Sequence, residues 1–165
     1  MRNRTYPRPL LACVAGVLVL IAATTSVRGE DWPAYRGKDG LGVWNETGIL
    51  EKFPEAGLPV RWRTPIRQGY SGPSVADGRV FVADFMWTTR PRGTERAVAL
   101  DEKTGAILWT REWEANYAGM SYDRGPRATP TVDEDRVYFQ GAAGALLCLN
   151  VKTGDVVWKK DLVTE

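Results

Sequence analysis

Ala99-Leu100-Asp101-Glu102-Lys103-Thr104-Gly105-Ala106-Ile107-Leu108-Trp109 recurs as Cys148-Leu149-Asn150-Val151-Lys152-Thr153-Gly154-Asp155-Val156-Val157-Trp158. Each copy runs small, apolar, Asp or Asn, two variable residues, Thr-Gly, three mostly apolar residues, Trp. The two tryptophans are 49 residues apart, and Val60-Arg61-Trp62 places another 47 residues before Trp109. A recurrence of about 40–50 residues built from short strands is the signature of a propeller blade. The upstream halves agree as well. Gly72-Pro73-Ser74-Val75-Ala76-Asp77-Gly78-Arg79-Val80-Phe81-Val82 aligns with Thr129-Pro130-Thr131-Val132-Asp133-Glu134-Asp135-Arg136-Val137-Tyr138-Phe139 at an offset of 57. The fall in offset from 57 to 49 leaves about eight extra residues in the first repeat. An indel inside a paired strand reverses the faces beyond it, so the insertion is expected in a loop, Asp84 to Glu95.

Four strands per repeat follow from the alternation of apolar and less apolar residues. They are Ser71 to Val75, Arg79 to Ala83, Arg96 to Leu100 and Ala106 to Thr110, then Ala128 to Val132, Arg136 to Gln140, Ala145 to Leu149 and Asp155 to Lys159. In the shared turn, Asp101 or Asn150 can accept backbone N–H groups two or three residues on, helped by Thr104 or Thr153. Gly105 and Gly154 supply the positive φ such a turn needs. One tryptophan per repeat reads as an inter-blade wedge, with ligand stacking as the other use of Trp109 and Trp158.

The chain opens with Arg2, Arg4 and Arg8, an uncharged apolar run from Leu10 to Ala23, and small residues through Gly29. That is the layout of a secretory signal, and the run is shorter than the roughly 20 residues of a membrane span. Cleavage after Gly29 or near Ala23 to Ser26 fits the small residues, and an uncleaved anchor is the alternative. Losing Arg28 and the three earlier arginines turns the formal net charge from +2 to −2, which gives no reason to expect a nucleic-acid partner. Cys13 leaves with the signal. Cys148, in the slot filled by Ala99, reads as a buried inert thiol. Histidine is absent, so His-based catalysis and metal binding are excluded in this segment.

The organisation expected is a signal peptide over residues 1–29, an N-terminal segment with a closing strand over 30–62, one blade over 63–110, and a second blade with the start of the next link over 111–165. The fold class is all-β: about two four-stranded blades plus one closing strand of a longer seven- or eight-bladed ring. Repeat architectures generally need at least three units, so the chain is expected to be the N-terminal piece of a longer protein. A ring assembled from several copies is the rival. Strand order puts the second-to-third connections and the inter-blade links on one face. There Asp84 to Glu95 and Arg111 to Arg127 carry Trp87, Arg90, Arg92, Trp113, Tyr117, Tyr122, Arg124 and Arg127. Tyr70 and Arg127 each precede an innermost strand and are the candidate binding residues at the channel mouth. An arginine there can pair with carboxylates or stack on an aromatic ligand, or simply hold loop carbonyls.

On these residues the chain resembles the pyrroloquinoline quinone-type (PQQ-like) propeller repeat family, and specifically its exported BamB-like members. Ala99 to Trp109, with Ala99, Asp101, Thr104, Gly105 and Trp109, is similar to that family's tryptophan-docking motif at every defined position. The second copy, with Asn150, Thr153, Gly154 and Trp158, is looser because Cys148 and Asn150 replace Ala and Asp. Asp31-Trp32-Pro33-Ala34-Tyr35-Arg36-Gly37, Glu46-Thr47-Gly48 and Pro59-Val60-Arg61-Trp62 also resemble the start of such exported propellers. The resemblance implies a periplasmic or cell-envelope location and two function classes. One is a non-catalytic binding or scaffold propeller, without cofactor, that engages an envelope protein, peptide or polymer as well as the remainder of its own ring. The other is a quinoprotein dehydrogenase oxidising alcohols or sugars, with PQQ on the ring axis, calcium, an aspartate base and often adjacent cysteines. The sequence offers no adjacent cysteine pair and no assignable set of calcium ligands.

Overall fold

The computed structural model describes residues 29–164, so the expected signal segment, Gly29 excepted, lies outside the described residues. Two four-stranded antiparallel sheets make up the fold, each in simple meander order. The first comprises β1 (Ser74–Ala76), β2 (Arg79–Thr89), β3 (Arg92–Asp101) and β4 (Ile107–Asn116); the second comprises β5 (Thr131–Asp133), β6 (Arg136–Gln140), β7 (Ala145–Asn150) and β8 (Val156–Asp161). Meandering four-stranded sheets joined in series are propeller blades, and the chain is a partial propeller of that kind. Residues 60–62 lie outside both sheets.

The first repeat differs from the sequence reading at its insertion. Residues 84–95 do not form a loop. The extra residues extend β2 and β3 together, in unbroken register from Asp84↔Arg96 through Trp87↔Gly93, with the turn at Arg90 and Pro91. Residues added to both strands of a hairpin keep every side chain on its own face, so the insertion costs no register. β4 follows the lengthened β3 as far as Asn116, pairing Asn116 with Arg92. The link to the second sheet therefore starts after Asn116, where the sequence had placed it from Arg111.

Registers show why the motif needs a small residue before the turn. Ala99 faces Trp109 directly across β3 and β4, and Cys148 faces Trp158 across β7 and β8. In both sheets the ladder shifts register immediately after that pair. Such a bulge re-aims the following side chain.

The indoles reach forward to the next repeat. Trp62 Nε1–H donates to the Glu102 carbonyl at 2.8 Å, and Trp109 Nε1–H donates to the Val151 carbonyl at 3.0 Å. Each ring lies on the turn glycine: a Cβ at Gly105 would fall 2.5 Å from Trp62, and one at Gly154 would fall 2.6 Å from Trp109. Both glycines also hold positive φ, 71° and 69°, so only glycine satisfies the turn and the ring above it. Two residues past each tryptophan a second donor caps the same glycine carbonyl, Thr64 Oγ1 at 2.6 Å and Arg111 Nε at 2.5 Å. Trp109 lies between Phe81 of its own sheet and Phe139 of the next, centroids 5.9 and 6.4 Å away. These rings, with Ala83, Ala97, Val137, Leu147 and Leu149, form one core shared by both sheets. Trp158 is 38% exposed against 9% for Trp109.

The turns close as their residue types require. Asp101 Oδ1 accepts from Lys103 N at 3.1 Å, Thr104 N at 2.8 Å and Thr104 Oγ1 at 2.8 Å; Asn150 Oδ1 accepts from Lys152 N and Thr153 N. The Asp101 carboxyl is held below its ordinary 3.8, chiefly by the Thr104 hydroxyl and then by backbone N–H groups. A depressed folded-state value stabilises the fold fully above 3.8 and loses that contribution as pH falls through the lower folded value. Asp155, lowered by the Thr153 hydroxyl and Arg111, behaves in the same sense. Asp101→Asn, copying Asn150, is expected to shrink the fall in melting temperature below pH 3.8 and leave the Asp155 part. An unchanged acid limb would assign the sensitivity to other groups.

Candidate functional site

β1 and β5 are three-residue edge strands that approach one another. An open edge exposes N–H and C=O groups that need partners. Here the chain supplies them itself. Trp32 N–H donates to the Val75 carbonyl at 2.7 Å, Val75 N–H donates to the Trp32 carbonyl at 2.9 Å, and Val132 N–H donates to the Pro33 carbonyl at 2.8 Å. Asp77 N–H donates to the Asp31 carboxylate at 3.0 Å. The Asp31–Gly37 motif is thus a strap laid over the innermost strands of both sheets. Gly37, at φ 73°, packs under the Trp32 ring where a Cβ would come within 2.7 Å of the indole.

Beside the strap opens a cleft of about 470 Å³ lined chiefly by Trp32, Tyr35, Arg36, Tyr70, Arg127 and Thr129. The structure therefore brings the two candidate residues Tyr70 and Arg127 together. Tyr70 N–H donates to the Pro126 carbonyl at 2.9 Å, and its ring meets Tyr122 edge-on at 6.3 Å. Arg127 Nη2 donates to the carbonyls of Ser121 and, at 2.7 Å, Tyr122. Arg127 both braces the 117–127 loop and lines the cleft. Sequence reasoning missed Trp32, Tyr35 and Arg36, although the motif that contains them was its clue.

The loop is anchored from beneath. Glu95, fully buried, accepts from Trp113 Nε1 at 2.6 Å, Tyr117 Oη at 2.5 Å and Ala142 N at 2.9 Å. All three groups donate to the Glu95 carboxyl oxygens, one to Oε2 and two to Oε1. Burial, followed by the hydrogen bond to Glu95, pushes the Tyr117 hydroxyl far above its ordinary 10.0. The charge of Arg127 acts weakly in the other direction. A second buried carboxylate, Asp84, takes both prongs of Arg96 at 2.9 and 2.6 Å and the Arg67 N–H at 2.8 Å. That fork raises the Arg96 guanidinium pKa above its ordinary value.

Two aromatics expected on an exposed binding loop are instead core residues. Trp113 and Tyr117 are buried, Tyr117 against Phe85 at 4.4 Å. The β4 extension turns Trp113 inward, where its N–H finds Glu95. At the hairpin end, the Arg90 guanidinium lies 4.5 Å over Trp87 and pairs with Asp123 at 3.7 Å.

A family model described as outer membrane protein assembly factor BamB matches residues 54–165. The chain belongs to this family. Among solved structures it is similar to BamB from Moraxella catarrhalis, with 23% identity, a TM-score of 0.40, and coverage of 58% of this chain and 25% of that one. It is likewise similar to a europium-containing methanol dehydrogenase, with 23% identity, a TM-score of 0.47, and coverage of 61% of this chain and 17% of that one. The chain thus spans a quarter or less of either structure. No curated protein matches it closely enough to count as a relative. The strap and cleft occupy the inner edge of the two blades.

Proposed function

We propose that this chain belongs to an exported, non-catalytic binding propeller of the cell envelope, whose ligand is an envelope protein, peptide or surface polymer. The observation that carries the reading is the strap. Residues 31–33 take up the free edges of β1 and β5, and the space left beside them is basic and aromatic. Rigid strands displaying such a cleft between loops suit recognition. The family description, which names outer-membrane protein assembly, supports an envelope setting.

The alternative, a quinoprotein dehydrogenase, asks for PQQ with calcium. Among the described residues no group of three or more His, Cys, Asp or Glu side chains comes together to hold a metal. Asp84 is already forked by Arg96, Glu95 is enclosed by three donors, and Cys148 is buried opposite Trp158. These residues do not fit the group. PQQ and calcium added to the full-length protein are expected to give no dye-linked oxidation of alcohols or sugars. Saturable activity under those conditions would establish the dehydrogenase instead.

A further inference from the structure

We infer that the cleft beside the strap binds a carboxylate-bearing sugar, the unit of an acidic polysaccharide. This rests on the preceding reading of the inner-edge face as a binding surface and names its ligand class. The first observation is charge. Arg67, Arg90, Arg96, Arg111 and Arg136 each pair with a carboxylate. Arg36 and Arg127 line the cleft with no ion pair among the described residues, and no acidic side chain lines it with them.

Both arginines are held in place by backbone. Arg36 Nη2 donates to the Leu41 carbonyl at 3.3 Å, with its Nε 3.4 Å from where a Cβ on Gly42 would lie. Arg127 is held by Ser121 and Tyr122 through Nη2 alone. A guanidinium has five N–H donors, so with Nη2 engaged each arginine still has N–H groups at Nε and Nη1 that can each give a single charge-assisted hydrogen bond to a carboxylate. Fixing the side chains beforehand lowers the ordering cost of binding.

The second observation is the lining. Tyr35, 74% exposed, and Tyr70, 48% exposed, line the cleft together with the two cations. Aromatic faces stack on the C–H face of a pyranose ring while an adjacent guanidinium takes its carboxylate. A peptide is disfavoured there. Its general mode of attachment to a sheet is strand addition, and Trp32 and Pro33 already occupy the β1 and β5 edges.

Isothermal titration of the full-length protein with trigalacturonate, its neutral methyl ester and polyglutamate, without quinone or calcium, tests the inference. Trigalacturonate is expected to bind saturably. Removing its charge should weaken binding about tenfold or more, the scale of losing hydrogen bonds to a charged group. Arg36→Ala and Tyr70→Ala should each weaken it by about the same factor with an unchanged melting temperature. Arg92→Ala, at the hairpin turn, should have no effect. Arg127→Lys, which keeps the charge and loses the Nε and Nη1 donors, covers the case in which Arg127→Ala unfolds the loop, and it should also weaken binding. Failure of trigalacturonate to bind, equal binding of the ester, preference for polyglutamate, or indifference to Arg36→Ala in folded protein would each overturn the sugar assignment. Those failures leave the non-catalytic reading standing; only quinone-dependent oxidation overturns that.

Discussion

Trp109→Ala in the full-length protein is expected to cost about 3–5 kcal/mol of stability, the range for deleting a large buried aromatic side chain. The ring lies between Phe81 and Phe139 and covers Gly154, so its loss opens a void in the core that both sheets share. Trp109→Phe separates two contributions. It keeps much of the packing and leaves the Val151 carbonyl without its donor, a hydrogen bond worth about 1 kcal/mol. Chemical denaturation of both variants should therefore rank alanine well below phenylalanine, and phenylalanine below wild type. A melting temperature unchanged by Trp109→Ala would refute the wedge assignment.

Glu95→Ala is expected to be of similar severity, about 3 kcal/mol or more, because Trp113 N–H, Tyr117 O–H and Ala142 N–H all lose their acceptor inside the protein. Glu95→Gln is the sharper variant. Its carbonyl oxygen can still serve Tyr117 and Ala142, but its NH₂ then faces the Trp113 N–H, donor against donor. That clash should cost about 1–3 kcal/mol although the shape is conserved. The contact also joins the blades, since Ala142 and the adjacent Gly141 belong to the β6–β7 turn, and a Cβ on Gly141 would strike the Glu95 carboxylate. Hydrogen exchange at Ala142 should accelerate in Glu95→Ala, which removes its acceptor, and much less in Glu95→Gln, which keeps it. Glu95→Gln at wild-type stability would show that the second acceptor oxygen is dispensable there.

Much of this architecture is legible in residues 99–109 and 148–158. Turn chemistry is local: an Asx acceptor, a Thr hydroxyl and a positive-φ glycine within five residues determine their own geometry. The 49-residue period carries the rest, because each blade repeats the same burial problem. The insertion was misplaced because sequence spacing counts residues and does not say whether they add to one strand or to two paired ones. Glu95 was hidden for a related reason. Read as loop it is an ordinary surface acid, and only the lengthened β3 puts it opposite Phe85 and within reach of Trp113.

The sequence by itself determined the blade, its turns, the tryptophan spacing and the two residues, Tyr70 and Arg127, that precede the inner strands. Tertiary structure alone decided which carbonyl each indole reaches, how Arg36 and Arg127 come to share a cleft, and that residues 31–33 close the inner strand edges. Those contacts join residues 40 to 100 positions apart, such as Trp62 with Glu102 and Pro33 with Val132. No local propensity encodes such a pairing. It exists because two sheets stacked side by side bury one core and bring their short edges under a single strap.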